Sequence, residues 1–219
     1  MYSTLLFDLD GTLSDPLLGI GQSINHALIA HGFDARSLPD LAECVGPPLD
    51  QSFKRLTGVE ETDLLVSMVA KYRERYLDIG FQENTLYPGV TDALKHLKTS
   101  GAHIALCTSK PEPGTRLILE HFNITSYFRF ISCGDVGIEK WQQLQALRAD
   151  GVIDHNAIMV GDRSFDVEAG RRNSLFTGAV TWGFGSTAEL TAAGPDRWFH
   201  SPAEWLGLLE SNSPNGRAS

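Results

Sequence analysis

A chain of 219 residues, 42% hydrophobic and 21% charged, can bury a full apolar core without disulfides or a structural metal. Its 27 acidic and 18 basic side chains leave a net charge of −9, which disfavours binding to nucleic acid polymers or to anionic membrane surfaces. No apolar stretch is long enough to cross a bilayer, so neither a nucleic acid polymer nor a membrane is expected as a partner.

The first apolar run covers residues 4–9 and stops in acids. A near-continuous apolar run implies a strand covered on both faces, as in a parallel sheet between helices. More than seventy residues without a convincing strand follow, with helix-like stretches at 20–31, 40–44, 49–56 and 62–77. Gly32, Gly46-Pro47-Pro48 and Gly58 break them. An insertion of that size, directly after a strand end, reads as a small all-helical cap over a site, with hinges near 13–16 and 82–87. Further on, apolar runs at 103–108, 128–133, 157–161 and 177–182 alternate with helical patterns at 90–99, 114–122, 140–149 and 166–172. Such alternation predicts an α/β fold with a doubly wound parallel sheet. The expected division is a core of residues 1–14 and 86–210, a helical cap of 15–85, and a flexible tail of 211–219.

Ligands in such sheets bind at the carboxyl ends of strands, so the residues that follow each apolar run are the candidates. The first run ends Asp8-Leu9-Asp10-Gly11-Thr12. Acids two apart share one side of the strand end, and both stay ionised only if positive charge joins them. Gly11 permits a tight turn whose amides can face an anion. The second run ends Thr108-Ser109-Lys110, offering hydroxyl donors to phosphate oxygens, and the fourth ends Gly161-Asp162-Arg163 with Asp166 four residues beyond Asp162. Each feature alone also suits a turn or a helix N-terminus. Together Asp8, Asp10 and Asp162 ask for a hard divalent cation such as Mg²⁺, and Lys140 after the third run supplies fixed positive charge.

These motifs, in this order and spacing, resemble the haloacid dehalogenase superfamily. Val45-Gly46-Pro47-Pro48-Leu49, Leu86-Tyr87-Pro88-Gly89-Val90 and Thr181-Trp182-Gly183-Phe184-Gly185-Ser186 are similar to its phosphoglycolate phosphatase-like branch with a helical cap. The resemblance implies a Mg²⁺-dependent phosphomonoester hydrolase acting on a small phosphorylated metabolite, phosphoglycolate-like or a 5′-nucleotide. It implies Asp8 as the nucleophile that forms an aspartyl-phosphate, Asp10 as acid and base, and Lys140 as the charge that steadies Asp8 and the phosphoryl oxygens. Thr108, Ser109 and Gly11 would join Lys140 in holding phosphate. Asp8, Asp10 (through its backbone carbonyl) and Asp162 would hold the metal, with Asp166 supporting it. Asp10 also speaks against halide removal, because the halide-removing members lack that second acid.

Two departures mark the sequence. Trp141 stands after Lys140 where the family commonly has Pro, and Lys110 adjoins the hydroxyls and reads as a loop residue near the hinge. Asp15 reads equally as a substrate contact or a turn acid before Pro16. Lys54, Arg55, Tyr72, Arg73 and Arg75 are the cap candidates for reading the leaving group. The alternatives are a sugar-phosphate mutase on the same scaffold and a catalytically degenerate binding protein. A phospho-accepting receiver would need adjacent acids after its first strand, and Leu9 separates them here. The acid at position 8 interrupts any secretory apolar segment, and Cys44, Cys107 and Cys133 form no CxxC pair. The expectation is a cytoplasmic monomer or homodimer.

Overall fold

Leu5, Leu6 and Phe7 form β1 (Leu5–Phe7), whose side chains are buried without exception, so the strand must be covered on both faces. The computed structural model describes residues 2–134 and 137–210 and sets β1 inside a six-stranded sheet. The chain leaves the sheet through β2 (Ser14–Asp15) into four helices, α1 (Leu17–Ala30), α2 (Leu38–Leu41), α3 (Leu49–Thr57) and α4 (Thr62–Asp78), and returns through β3 (Thr85–Leu86). There follow α5 (Val90–Thr99), β4 (Ile104–Pro111), α6 (Glu112–His121), β5 (Ile131–Gly134), α7 (Lys140–Ala149) and β6 (Ile158–Gly161). The chain continues through α8 (Ser164–Arg172), β7 (Phe176–Val180), α9 (Thr187–Ala193), β8 (Arg197–Phe199) and a 3-10 helix at Pro202–Leu209.

The strand order is β5-β4-β1-β6-β7-β8, with every pairing in this sheet parallel. From β1 the chain builds outward to β4 and β5, then crosses to the other side for β6, β7 and β8. The order therefore reverses beside β1, and crevices open at the carboxyl edge where it does. Phe7 pairs with Leu106 on one side and Val160 on the other, so Asp8, Thr108 and Asp162 all emerge within two residues of one line.

Alternation along β1 divides the core. Leu5 and Phe7 join Leu94, Trp205 and Leu208 on one face, while Leu6 joins Ala105, Cys107, Met159 and Leu144 on the other. Phe7 lies against Trp205 with ring centroids 4.6 Å apart, so the terminal 3-10 helix seals that face. Burying each such side chain contributes about 1.5–3 kcal/mol. The first apolar cluster also runs on into the cap through Ile24, Phe53 and Met68.

The two segments expected to connect the cap meet in one element. β2 and β3 pair antiparallel, Ser14 with Leu86 and Asp15 with Thr85. The Asp15 carboxylate accepts a hydrogen bond from the Leu17 amide at 2.9 Å, so this acid starts α1. Elsewhere the boundaries move. The strand expected at 128–133 begins only at Ile131, and β4 runs beyond Thr108 to Pro111. α9 and β8 had no counterpart in the sequence reading. The expected tail at 211–219 lies outside the described residues.

Candidate active site

Asp8 follows β1 directly, and its amide donates to the Val160 carbonyl at 2.9 Å, fixing the strand end to β6. One carboxylate oxygen from each of Asp8, Asp162 and Asp166 lies within 4.8 Å of the others, and all three residues are buried. Lys140, opening α7, reaches into this group. Its Nζ stands 3.0 Å from Asp8 Oδ1 in a close ion pair, and it donates to Asp166. The second Asp166 oxygen accepts from the Arg163 amide at 3.0 Å. Asp162 accepts from the Phe184 amide at 2.8 Å and from the Thr12 hydroxyl at 3.4 Å.

Two glycines make this crowding possible. Gly11 has φ +81°, and a Cβ there would collide with the Asp162 carboxylate. A Cβ on Gly161 would strike Asp166. Three carboxylates thus face a single ammonium, and the electrostatics reflect it. Burial pushes the Asp8 carboxyl up to about 6 against the pull of Lys140, with Asp166 adding to the rise. Burial likewise holds Asp162 well above the usual carboxylate range, reinforced by Asp166 and Asp8. Burial works against the Lys140 charge, but Asp166 and Asp8 outweigh it and raise its pKa. A hard, oxygen-only donor set with surplus negative charge fits a divalent cation.

The Asp10 carboxylate stands apart from that group. Its Oδ2 pairs with Lys110 Nζ at 2.6 Å, with the two side chains 14% and 9% exposed, and its Oδ1 is buried without a hydrogen-bond partner among the described residues. The loop position expected for Lys110 is therefore corrected. Lys110 belongs to β4, whose pairing with β5 shifts register between Cys107 and Pro111, and bulges of this kind re-aim side chains. Thr108 is buried and its hydroxyl accepts from the Lys110 amide at 3.2 Å, whereas Ser109 is exposed.

Of the cap candidates, Tyr72 alone is drawn to this site. It is buried and stacks on Tyr76 with centroids 5.3 Å apart, and Lys110 Nζ sits 4.6 Å from the Tyr76 ring centroid. Arg75 instead binds Glu83 at 2.8 Å, Lys54 pairs with Glu60, Arg55 with Glu43, and Arg73 is exposed. Tyr76 escaped the sequence reading, although its place four residues after Tyr72 puts both on one helix face. A second contact between core and cap also went unread. Arg163 donates to the Val45 carbonyl at 2.8 Å and to Glu189 at 3.0 Å, and it lies over Phe165.

Residues 5–180 match the family described as haloacid dehalogenase-like hydrolase. A 5′-nucleotidase of Pseudomonas aeruginosa is 34% identical over 96% of this chain and 97% of its own length. A phosphoglycolate phosphatase of Agrobacterium fabrum is 31% identical over 82% of this chain and 80% of its own. The crystal structure of a predicted phosphatase from Clostridium acetobutylicum superposes with a TM-score of 0.88 at 33% identity, covering 95% of this chain and 98% of that one.

Proposed function

Since the chain belongs to the haloacid dehalogenase-like hydrolase family and is a phosphatase, we propose that it hydrolyses the monoester of a small phosphorylated metabolite through an aspartyl-phosphate on Asp8. The observation that carries this reading is the meeting of Asp8, Asp162, Asp166 and Lys140 where the sheet order reverses. Asp8, Asp162 and the Asp10 backbone carbonyl would hold Mg²⁺, with Asp166 behind them anchoring Lys140. When bound, the cation neutralises phosphoryl and carboxylate charge.

In the first step an Asp8 carboxylate oxygen bonds to phosphorus as the ester P–O bond breaks, and Asp10 gives its proton to the departing oxygen. Water then attacks phosphorus, losing a proton to Asp10, and the Asp8–phosphorus bond breaks to free phosphate. Lys140 and the buried Thr108 hydroxyl would steady phosphoryl oxygens that gain charge in both transition states. The Gly11 turn would add backbone amides to that cradle, and the Ser109 amide a further donor. The unpaired Asp10 Oδ1 supports the acid and base role, since it is free to meet the leaving oxygen.

A cap over the crevice would exclude bulk water, and the 5′-nucleotidase and phosphoglycolate phosphatase relatives support a small leaving group, phosphoglycolate-like or a 5′-nucleotide. The three cysteines are free thiols, which supports a cytoplasmic setting. The test is phosphate release from phosphoglycolate, 5′-nucleotides and small sugar phosphates, with Mg²⁺ or EDTA, for wild type and Asp8→Asn. Metal-dependent release lost in Asp8→Asn is the expected result, and the order of kcat/KM names the substrate class. Folded, Mg²⁺-loaded wild type that releases phosphate from none of them would overturn the reading.

A further inference from the structure

The catalytic reading leaves one buried cation without a task. Lys110 lies 100 residues from Asp10 in sequence, yet its Nζ holds Asp10 Oδ2 at 2.6 Å while the other Asp10 oxygen has no hydrogen-bond partner among the described residues. The same ammonium sits against the Tyr76 ring, 4.6 Å from its centroid, and Tyr76 belongs to α4 of the cap. Tyr76 is itself held on three sides. It stacks on Tyr72, its hydroxyl accepts from Asn84 at 3.3 Å, and its ring edge passes close to Gly114 of α6. Lys110 is thus clamped between a core carboxylate and a cap aromatic face.

We propose that Lys110 is a positioning residue that ties the orientation of Asp10 to the seating of the cap. With α4 in place, the Tyr76 face and the surrounding burial keep water from the ammonium, so its pair with Asp10 Oδ2 is strong and Oδ1 is presented in one direction. When α4 moves away, Lys110 loses that face and gains water, and Asp10 is held only as a surface ion pair would hold it. Asp10 is then fully ordered only under a seated cap. The proposal rests on the phosphatase reading, because it assigns Asp10 the proton transfers.

The experiment compares wild type with Lys110→Met, Lys110→Arg, Tyr76→Leu, Tyr76→Phe and the Lys110→Met/Tyr76→Leu double variant. It uses the best ester found for wild type, with Mg²⁺ present, and thermal melting to verify folding. Misplacing one catalytic group costs up to about 100-fold in rate. Lys110→Met is therefore expected to lower kcat by about 10–100-fold with KM within about threefold, and Lys110→Arg to restore most of kcat. Tyr76→Leu is expected to lower kcat in the same direction by roughly 5–10-fold, Tyr76→Phe to stay near wild type, and the double variant to match Lys110→Met within about twofold.

A Lys110→Met enzyme whose kcat stays within twofold of wild type overturns the proposal, as does one that changes KM alone. Multiplying effects in the double variant overturn the link to the cap. Should Lys110→Met not fold, Lys110→Arg and Tyr76→Leu carry the test, and an unchanged kcat in Tyr76→Leu refutes it. Wild type inactive on every ester sinks the phosphatase reading and this proposal together, whereas active wild type with indifferent variants sinks this proposal alone.

Discussion

Two lysines stand on either side of the acids that follow β1, and they live in different surroundings. Lys140 meets Asp8 and Asp166, and every group around it comes from strand ends and helix starts of the sheet. Lys110 meets Asp10 on one side and the Tyr76 ring of the cap on the other. Among the described residues the first neighbourhood has three carboxylates for one ammonium and is short of positive charge, so it suits a divalent cation. In the second, one carboxylate already balances one ammonium beneath an aromatic lid. On the proposed reading, one lysine–aspartate pair serves chemistry within the sheet and the other ties the sheet to the cap.

The largest break in this comparison comes at Asp8. Asp8→Asn removes the proposed nucleophile while keeping its shape, and kcat/KM is expected to fall by at least about 10⁴-fold in a phosphate-release assay. Next is Lys140→Met, which leaves Asp8 and Asp166 buried without their cation. A loss of about 10²–10³-fold in kcat/KM is expected. Denaturant titration should show lower stability by about 3–5 kcal/mol, with part of it returned by Mg²⁺. Activity intact in that variant would erase the distinction between the two lysines.

Arg163→Ala tests the other contact with the cap. Its bonds to Val45 and Glu189 are partly exposed, and a charged hydrogen bond there is worth about 1–2 kcal/mol, so kcat/KM should fall by only about 3–10-fold. A loss as large as that for Lys110→Met would mean that both contacts order the site alike. The smallest effect concerns pH. Burial alone would raise the Glu189 carboxyl, but the Ser164 amide and Arg163 prevail and hold it below its ordinary 4.5. Its folded pKa is depressed, so its contribution is present above that ordinary value and is lost as pH falls through the folded one. Thermal melting of Glu189→Gln should lie below wild type at pH 7 by less than about 1 kcal/mol, and the gap should close as pH falls below the ordinary carboxylate range. A gap that widened in acid would reverse the sign.

Much of the catalytic floor was legible because most of its residues follow an apolar run, and a parallel sheet carries such residues to one edge. Asp8, Thr108 and Asp162 follow from that rule, whereas Asp166, inside α8, came from its spacing after Asp162 and from the family resemblance. The roof was not legible, for reasons of geometry. Lys110 reads as a loop residue because nothing in Thr108-Ser109-Lys110-Pro111 announces the register shift that keeps it in β4 and re-aims it. Tyr76 meets Lys110 across 33 intervening positions that include β3, and no local pattern encodes that encounter. The cap arginines were attractive on charge alone, yet Arg75 is spent on Glu83 and Ser23 within the cap itself. β8 escaped because three residues, Arg197-Trp198-Phe199, are too few to form an apolar run.

The two-residue ladder between β2 and β3 has a consequence for the history of such a molecule. Asp15 and Thr85 are register partners, so everything between them departs from and returns to a single point on the sheet's rim. Joining the ends of so long a loop costs little more than joining a short one, since the entropy grows only with the logarithm of length. The intervening helices can lengthen, shrink or be exchanged for others, and β1, β4 and β6 need not notice. Innovation in what the protein accepts can then proceed by graft and revision at the periphery, while the inherited reaction centre stays under separate selection.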